Sequence, residues 1–259
     1  MPSLADVFGL EGRRAIVTGA SSGLGVEFAE ALAIAGADVA IVARRANRLE
    51  SVAERLATYG RKIAPVAADL EDLASIPDVV ARCEEAIGPI DILVNNAGRQ
   101  DPVRAEKTTP GQWAGLLDLN LTAGFRLAQE VARRCFARSE AGRIVNVGSI
   151  FGVVASSMPG YAAYAASKGA ITALTRQLAI EWGPRGVTVN TLAPGFFPTE
   201  LNARSFEKPG IRDRAEQLVP LGRLGRPGEL TAALLFLVSP AASYVTGSTV
   251  LVDGGYTAW

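Results

Sequence analysis

The 259-residue sequence contains no histidine. That removes the side chain that most often serves as a base at neutral pH, and with it Ser–His–Asp triads and imidazole metal ligands. Acid–base chemistry is left to Tyr, Lys, Asp, Glu or Cys. Cysteine is scarce: Cys83 and Cys135 stand alone in helical patterns, without metal-ligand spacing or a disulfide framework, and read as packing residues. No metal is expected. No apolar run approaches the roughly 20 residues that span a bilayer. The N-terminus lacks the basic flank, apolar stretch and cleavage site of a signal peptide. A soluble, cytoplasmic protein is therefore expected. An excess of one charge is also missing: 26 basic and 26 acidic residues cancel, so nothing points to a nucleic acid or a membrane surface as partner.

What is present is apolar and regular. Hydrophobic residues make up 49% of the chain, with abundant Ala, Gly and Val that suit helix-on-sheet packing. Short β-branched runs at Ala15–Thr18, Val39–Ala43, Ile63–Ala67, Ile90–Asn95, Arg143–Val147, Val187–Leu192 and Thr249–Val252 alternate with helical patterns. The latter lie near 24–36, 47–59, 72–87, 110–138, 160–183 and 228–238. Seven strands separated by helices predict an α/β fold: one domain over 1–259, a doubly wound parallel sheet with helices on both faces. About 35 residues separate Leu192 from the helix near 228, punctuated by Gly195, Pro198, Pro209 and Gly210. An insertion of that length after a strand predicts a functional lid, at about 195–217.

The first strand runs into Thr18-Gly19-Ala20-Ser21-Ser22-Gly23-Leu24-Gly25 and then a helix. Glycines there permit a tight turn and close approach of backbone amides to a pyrophosphate, which the helix N-terminus also favours. The spacing differs from the commonest dinucleotide fingerprint. Asp38 begins the second strand and so lies at the wrong end to meet a ribose. At the carboxyl end stand Arg44 and Arg45, and Arg44 suits a 2′-phosphate. The alternative is that both arginines open a solvated helix. NADP(H) is thus expected over NAD(H), although Ser22 supplies no second positive charge. Asp69 and Leu70, after the third strand, are placed to touch an adenine, and Asp69 could instead cap the next helix. Asn95-Asn96-Ala97-Gly98 ends the fourth strand, where amide side chains tie loops together and Gly98 admits a close backbone.

Tyr164 and Lys168 sit four apart, one turn along a helix face. A lysine charge about 5 Å from the phenol, at an effective dielectric of about 20, would favour the phenolate by roughly 3 kcal/mol, or about two pKa units. That would bring Tyr164 down from about 10 towards useful acid–base work.

The Gly19–Gly25 loop, Asn95–Gly98, Asn120, Ser149, Tyr164/Lys168, Pro194-Gly195 and Val252-Asp253-Gly254-Gly255 occur in the order and spacing of the short-chain dehydrogenase/reductase family, which the whole chain resembles. The resemblance implies a Rossmann-type fold, a homotetramer or homodimer, and a tetrad of Asn120, Ser149, Tyr164 and Lys168. Tyr164 would exchange a proton with the substrate oxygen as hydride moves, and Ser149 would bind the same oxygen. Lys168 would hold the nicotinamide ribose, and Asn120 would anchor a water connecting Lys168 to solvent. Ser21, Ser22, Gly23, Leu24, Asn96, Ala97 and Gly98 would line the cofactor. Pro194, Gly195, Phe197 and Thr199 would lie beside the nicotinamide. Ser149 precedes Tyr164 by 15 residues, somewhat more than the family norm. Tyr161 would shorten the gap, but Ala165 lies four beyond it, so Tyr161 is assigned to the substrate pocket with Ile150 and Phe196. Val153 and Met158 are expected nearby, and Ser156 and Ser157 fall in the loop beyond. Among the lid cations Arg204, Lys208, Arg212 and Arg214, a solvated face is the default and a substrate carboxylate the alternative. The implied activity is interconversion of a ketone and a secondary alcohol, on a sugar acid or another small carbonyl compound. A 3-oxoacyl-carrier-protein or broad ketone reductase is the alternative, and a catalytically silent dinucleotide sensor or scaffold the reading from another class.

Overall fold

A computed structural model describes residues 3–156, 158–200, 202–207 and 210–258. A capped short helix, α1 (Leu4–Phe8), precedes the regular alternation β1 (Arg14–Thr18), α2 (Gly23–Ile34), β2 (Asp38–Ala43), α3 (Ala46–Leu56), β3 (Ile63–Ala67), α4 (Ile76–Ile87) and β4 (Ile92–Asn95). Then follow α5 (Pro110–Leu117), α6 (Ala123–Arg138), β5 (Gly142–Val147), α7 (Ala162–Trp182), β6 (Val187–Pro194), α8 (Ala203–Phe206), α9 (Ile211–Leu218), α10 (Thr231–Val238) and β7 (Thr249–Val252). The seven strands make one all-parallel sheet in the order β3-β2-β1-β4-β5-β6-β7. Among the described residues no helix is long and apolar enough to cross a membrane.

The strands are apolar on both faces because both faces are covered. Ala15, Val17, Val39 and Ile41 pack with Phe28 and Leu32 of α2, Leu49 of α3 and Leu234 of α10. Their neighbours in the two-residue period, Ile16, Ala40 and Val42, pack with Val79 of α4, Leu127 and Val131 of α6 and Leu178 of α7. Each fully buried Leu, Ile or Phe contributes about 1.5–3 kcal/mol relative to exposure. The registers Ile16↔Ala40 and Ile16↔Leu93 hold β1 between β2 and β4. Strand order reverses there, so a crevice opens above the carboxyl ends of β1 and β4.

Two departures from the helices expected from the sequence have a local reason. The helix expected from 72 begins at Ile76, because Asp72 accepts a bond from the Ala74 amide in a turn. The pattern 110–138 is two helices joined by a π turn, Asp118–Thr122, closed by the Ala123 amide on the Asp118 carbonyl. Its start is fixed by a capping box between Thr109 and Gln112, with Pro110 at the first helical position. The insert after β6 contains two short helices, α8 and α9.

Candidate active site

At the end of β1 the chain turns through Gly19 at φ +69°, and a Cβ there would lie 2.9 Å from both Ala97 Cα and Asn96 Nδ2. A Cβ on Gly25 would lie 2.7 Å from Asn96 Nδ2 and closer still to the Gly19 carbonyl oxygen. Only glycine at these positions lets the loop lie against the end of β4. Thr18 fastens the two. Its hydroxyl accepts bonds from the Asn96 and Ala97 amides at 3.0 and 2.9 Å, and its carbonyl accepts one from Asn96 Nδ2 at 2.8 Å. Ser22, the N-cap of α2, makes no side-chain capping bond, so the first amides of that helix keep their capacity to meet an anion. Gly23 lies against Thr199, with its Cβ position 3.4 Å from Thr199 Cβ. A backbone-lined cradle ending on a free helix N-terminus fits a pyrophosphate.

The two arginines after β2 part company. Arg44 turns to the acidic residues after β3, 3.9 Å from Asp69 and 3.6 Å from Glu71, and stays largely exposed. Arg45 turns to the glycine loop and donates to the hydroxyls of Ser21 (2.9 Å) and Ser22 (2.8 Å). It also pairs with Glu200 at 3.0 Å. Asp69 accepts a bond from the Glu71 amide in a local turn, so it does not cap α4. Leu70 is buried in the core beneath it.

The four residues of the expected tetrad converge. Asn120 sits in the π turn, which aims its buried side chain at the Arg99 backbone: Oδ1 accepts from the Arg99 amide and Nδ2 donates to its carbonyl, both at 2.9 Å. Nδ2 also donates to Ser167 Oγ at 3.2 Å, on the same turn of α7 as Lys168. A Cβ on Gly98 would lie 3.2 Å from Asn120 Oδ1 and 3.8 Å from Lys168 Nζ. Lys168 is buried, donates to the Val147 carbonyl at 2.7 Å, and stands 5.7 Å from the Tyr164 ring centroid. Ser149 Oγ accepts a bond from the Phe151 amide and is hydrogen-bonded to the Tyr164 phenol.

Electrostatics in this pocket correct the sequence expectation for Tyr164. Burial pushes the phenol up to about 12, against a lowering by the Ser149 hydrogen bond and with a further rise from Tyr161. Burial also pulls Lys168 down to about 8. The one-turn spacing does bring ammonium and phenol together. Desolvation of both groups outweighs their Coulomb attraction here.

Beside the tetrad lies a cleft of about 150 Å³, open at its mouth. Ile150, Met158, Tyr161, Phe196 and Phe197 line it, together with Leu24, Asn96, Gly98, Pro194, Gly195 and Thr199. Val153 does not; it is exposed on the outer side of its turn. The wall is aromatic: Phe151 packs on Tyr161 (5.4 Å between centroids) and on Phe196 (6.0 Å), and Phe196 on Tyr256 (5.1 Å). Tyr256 is held there by Asp253, whose carboxylate accepts bonds from the Gly255 and Thr257 amides. Of the lid cations, Arg212 pairs with Glu216 on α9, while Arg214 lines the cleft. Leu201, Lys208 and Ser157 lie outside the described residues, as does the side chain of Arg204.

Comparison with known proteins agrees with this geometry. The profile described as enoyl-(acyl carrier protein) reductase matches residues 19–257, from the first glycine of the loop to the C-terminal turn. The chain belongs to the short-chain dehydrogenase/reductase family. Short-chain dehydrogenases similar to it include galactitol 2-dehydrogenase (L-tagatose-forming) of Cereibacter sphaeroides, 42% identical over 98% of both chains. Gluconate 5-dehydrogenase of Gluconobacter oxydans (strain 621H) is 40% identical over 97% of both. The crystal structure of a gluconate 5-dehydrogenase from Burkholderia cenocepacia J2315, in complex with NADP and tartrate, superposes with a TM-score of 0.93 at 37% identity, covering 99% of this chain and 100% of that one. The chain is thus an NAD(P)-dependent oxidoreductase acting on CH–OH donors and the corresponding ketones of small molecules.

Sequence reasoning singled out Asn95 but missed its buried partners, and several other residues, in this short-chain dehydrogenase. Asn95, Asn146, Thr175 and Thr191 form a buried chain: Asn95 donates to Asn146 (2.9 Å), Asn146 to Thr175 (3.0 Å), and Thr191 to Thr175 (2.9 Å). It ties β4, β5 and β6 to α7, the helix carrying Tyr164 and Lys168. Its signal was available, since Asn146 interrupts an otherwise apolar strand and a buried amide needs partners. Phe151, Tyr256 and Glu200 had no such signal, because their positions depend on loops whose paths periodicity does not fix.

Proposed function

We propose that this enzyme prefers NADP(H) and interconverts a secondary alcohol and a ketone of a polyol or sugar acid, with Tyr164 as the proton donor and acceptor. The observation that carries this reading is the convergence of the Tyr164 phenol, the Ser149 hydroxyl and the buried Lys168 beside Gly98, at one end of a cleft that begins at the glycine loop. The glycine cradle and the uncapped start of α2 would hold the pyrophosphate; Arg44 and Arg45 would meet the 2′-phosphate. Bound NADP(H) supplies or accepts the hydride. In the reducing direction Tyr164 Oη gives its proton to the carbonyl oxygen, and in the oxidising direction it takes the alcohol proton. Ser149 Oγ holds that oxygen and offsets its developing charge. A phenol that keeps its proton at neutral pH is ready to act as the acid. Lys168 Nζ, next to the ring and fixed by Val147, offers positive charge when the phenolate forms. Asn120 holds the turn that carries Gly98 and braces Ser167, keeping Lys168 in position.

Arg214 on the cleft wall favours an anionic sugar-derived substrate, and the Burkholderia structure, crystallised with tartrate, is in keeping with this. The aromatic wall of Phe151, Phe196 and Tyr256 supports a second reading, a ketone on an apolar chain such as a 3-oxoacyl thioester. Initial rates with NADP+ or NADPH and then NAD+ or NADH, across polyols, sugar acids, cyclic ketones and oxoacyl thioesters, separate the two. Highest kcat/KM on a polyol or sugar acid with the phosphorylated cofactor is expected. Highest turnover on the thioester, or a preference for NAD(H), would replace the corresponding half of the reading.

A further inference from the structure

Arg45 and Arg48 converge with the hydroxyls of Ser21 and Ser22 on one spot beside the glycine loop, and that spot holds the Glu200 carboxylate. Arg45 Nη1 is 3.0 Å from Glu200 Oε1 and Arg48 Nη1 is 2.8 Å from Oε2. Arg45 bridges from there to Ser21 and Ser22 at 2.9 and 2.8 Å. Two guanidinium groups and two hydroxyls are a donor set suited to a phosphoryl group, with more donors than one carboxylate can use. The spot is also where the loop after β2 meets the glycine loop, the corner that a 2′-phosphate on the adenosine ribose would reach. Glu200 comes from the far side of the fold, 155 residues beyond Arg45, directly after Thr199.

From this we infer that Glu200 is a built-in competitor for the cofactor's 2′-phosphate, occupying the cradle of Arg45, Arg48, Ser21 and Ser22 and thereby setting how strongly the enzyme favours NADP(H) over NAD(H). The inference rests on the proposed binding of NADP(H). The guanidinium groups hold the Glu200 carboxyl down at about 2, so it remains a charged competitor throughout the working pH range. A phosphorylated cofactor must displace this carboxylate, whereas an unphosphorylated one leaves it in place. Arg44 lies outside the competition, because its acidic neighbours are Asp69 and Glu71.

The test is binding of fragments to the intact protein by titration calorimetry, with 2′,5′-ADP and ADP as probes and no turnover required. Glu200→Gln keeps the shape and removes the charge. It is expected to raise the preference for 2′,5′-ADP over ADP by about tenfold, and to make 2′,5′-ADP binding less sensitive to pH below 4.5. In a background of Arg45→Gln and Arg48→Gln, the same substitution is expected to change the preference by less than about twofold. An unchanged preference in Glu200→Gln, while the parent enzyme still favours 2′,5′-ADP, would overturn the inference and leave the NADP(H) reading standing. If parent and variant alike fail to distinguish the two fragments, both the inference and the NADP(H) reading fall.

Discussion

The two walls of the cleft are built on different principles. The cofactor wall consists of backbone and its fasteners: Gly19 and Gly25 pressed on Asn96, Thr18 binding three groups of the neighbouring strand end, and Gly98 against Asn120. The substrate wall consists of ring faces, Phe151, Tyr161, Phe196 and Tyr256, supplied by three separate segments. On the first wall an added methyl group has nowhere to go. On the second, one apolar ring or branched chain can replace another at modest cost. Chemistry common to a family can therefore be fixed on one side while the substrate changes on the other.

The largest effect is expected where the walls meet. Tyr164→Phe keeps the ring and its packing but removes the proton, so kcat should fall by about 10²–10⁴-fold, with the NADPH dissociation constant close to that of the parent. A variant retaining near-normal kcat would sink the role given to Tyr164. One paired substitution tests the contrast itself. Gly25→Ala forces a Cβ into the Gly19 carbonyl and Asn96, and strain of about 1–3 kcal/mol should weaken NADPH binding roughly tenfold or more. Phe196→Leu, on the other wall, should leave NADPH binding unchanged and shift KM for the carbonyl substrate. Equal effects of the two on cofactor binding would erase the distinction.

The smallest effect is a slope. Lys168 loses its proton near pH 8 in the fold and at 10.5 in the unfolded chain. Below about 8 both states carry the charge, and the full penalty of burying it is present. Between those values the unfolded chain holds more protons, so folding stability contributed by this group rises with pH. Urea unfolding of the parent and of Lys168→Met at pH 7.5 and pH 10 should therefore show the parent gaining relative to the variant. A difference that stays constant would mean that Lys168 is not destabilised by its burial.

The same contrast explains what could be read from the sequence. Strand spacing, the glycine loop and Asn96–Gly98 were legible because backbone constraints leave glycine or asparagine at fixed intervals. The parallel sheet, though not its strand order, followed from the alternation of strand and helix. Phe151 and Tyr256 were not legible, because no local rule distinguishes an aromatic on a cleft wall from one in the core. The Arg45–Glu200 pair spans 155 residues, and nothing local in either segment announces the other. The pKa of Tyr164 was misjudged for a related reason: spacing along α7 reveals a neighbour, while burial depends on β5, α7 and the lid segment together.

The π turn at Asp118–Thr122 has a consequence for how this chain can change length. It amounts to one residue more than a continuous helix through α5 and α6 requires. Deleting a residue there would close the bulge into a regular α-helical turn with α5 and α6 still in phase, because the bulge already absorbs the roughly 100° and 1.5 Å that one residue adds. Leu127, Val131 and Cys135 would stay packed against the sheet, and Asn120 alone would lose its aim at Arg99. The surplus residue thus aims one polar side chain without turning the long core helix beyond it, so that the site can be altered at this point while the core is kept.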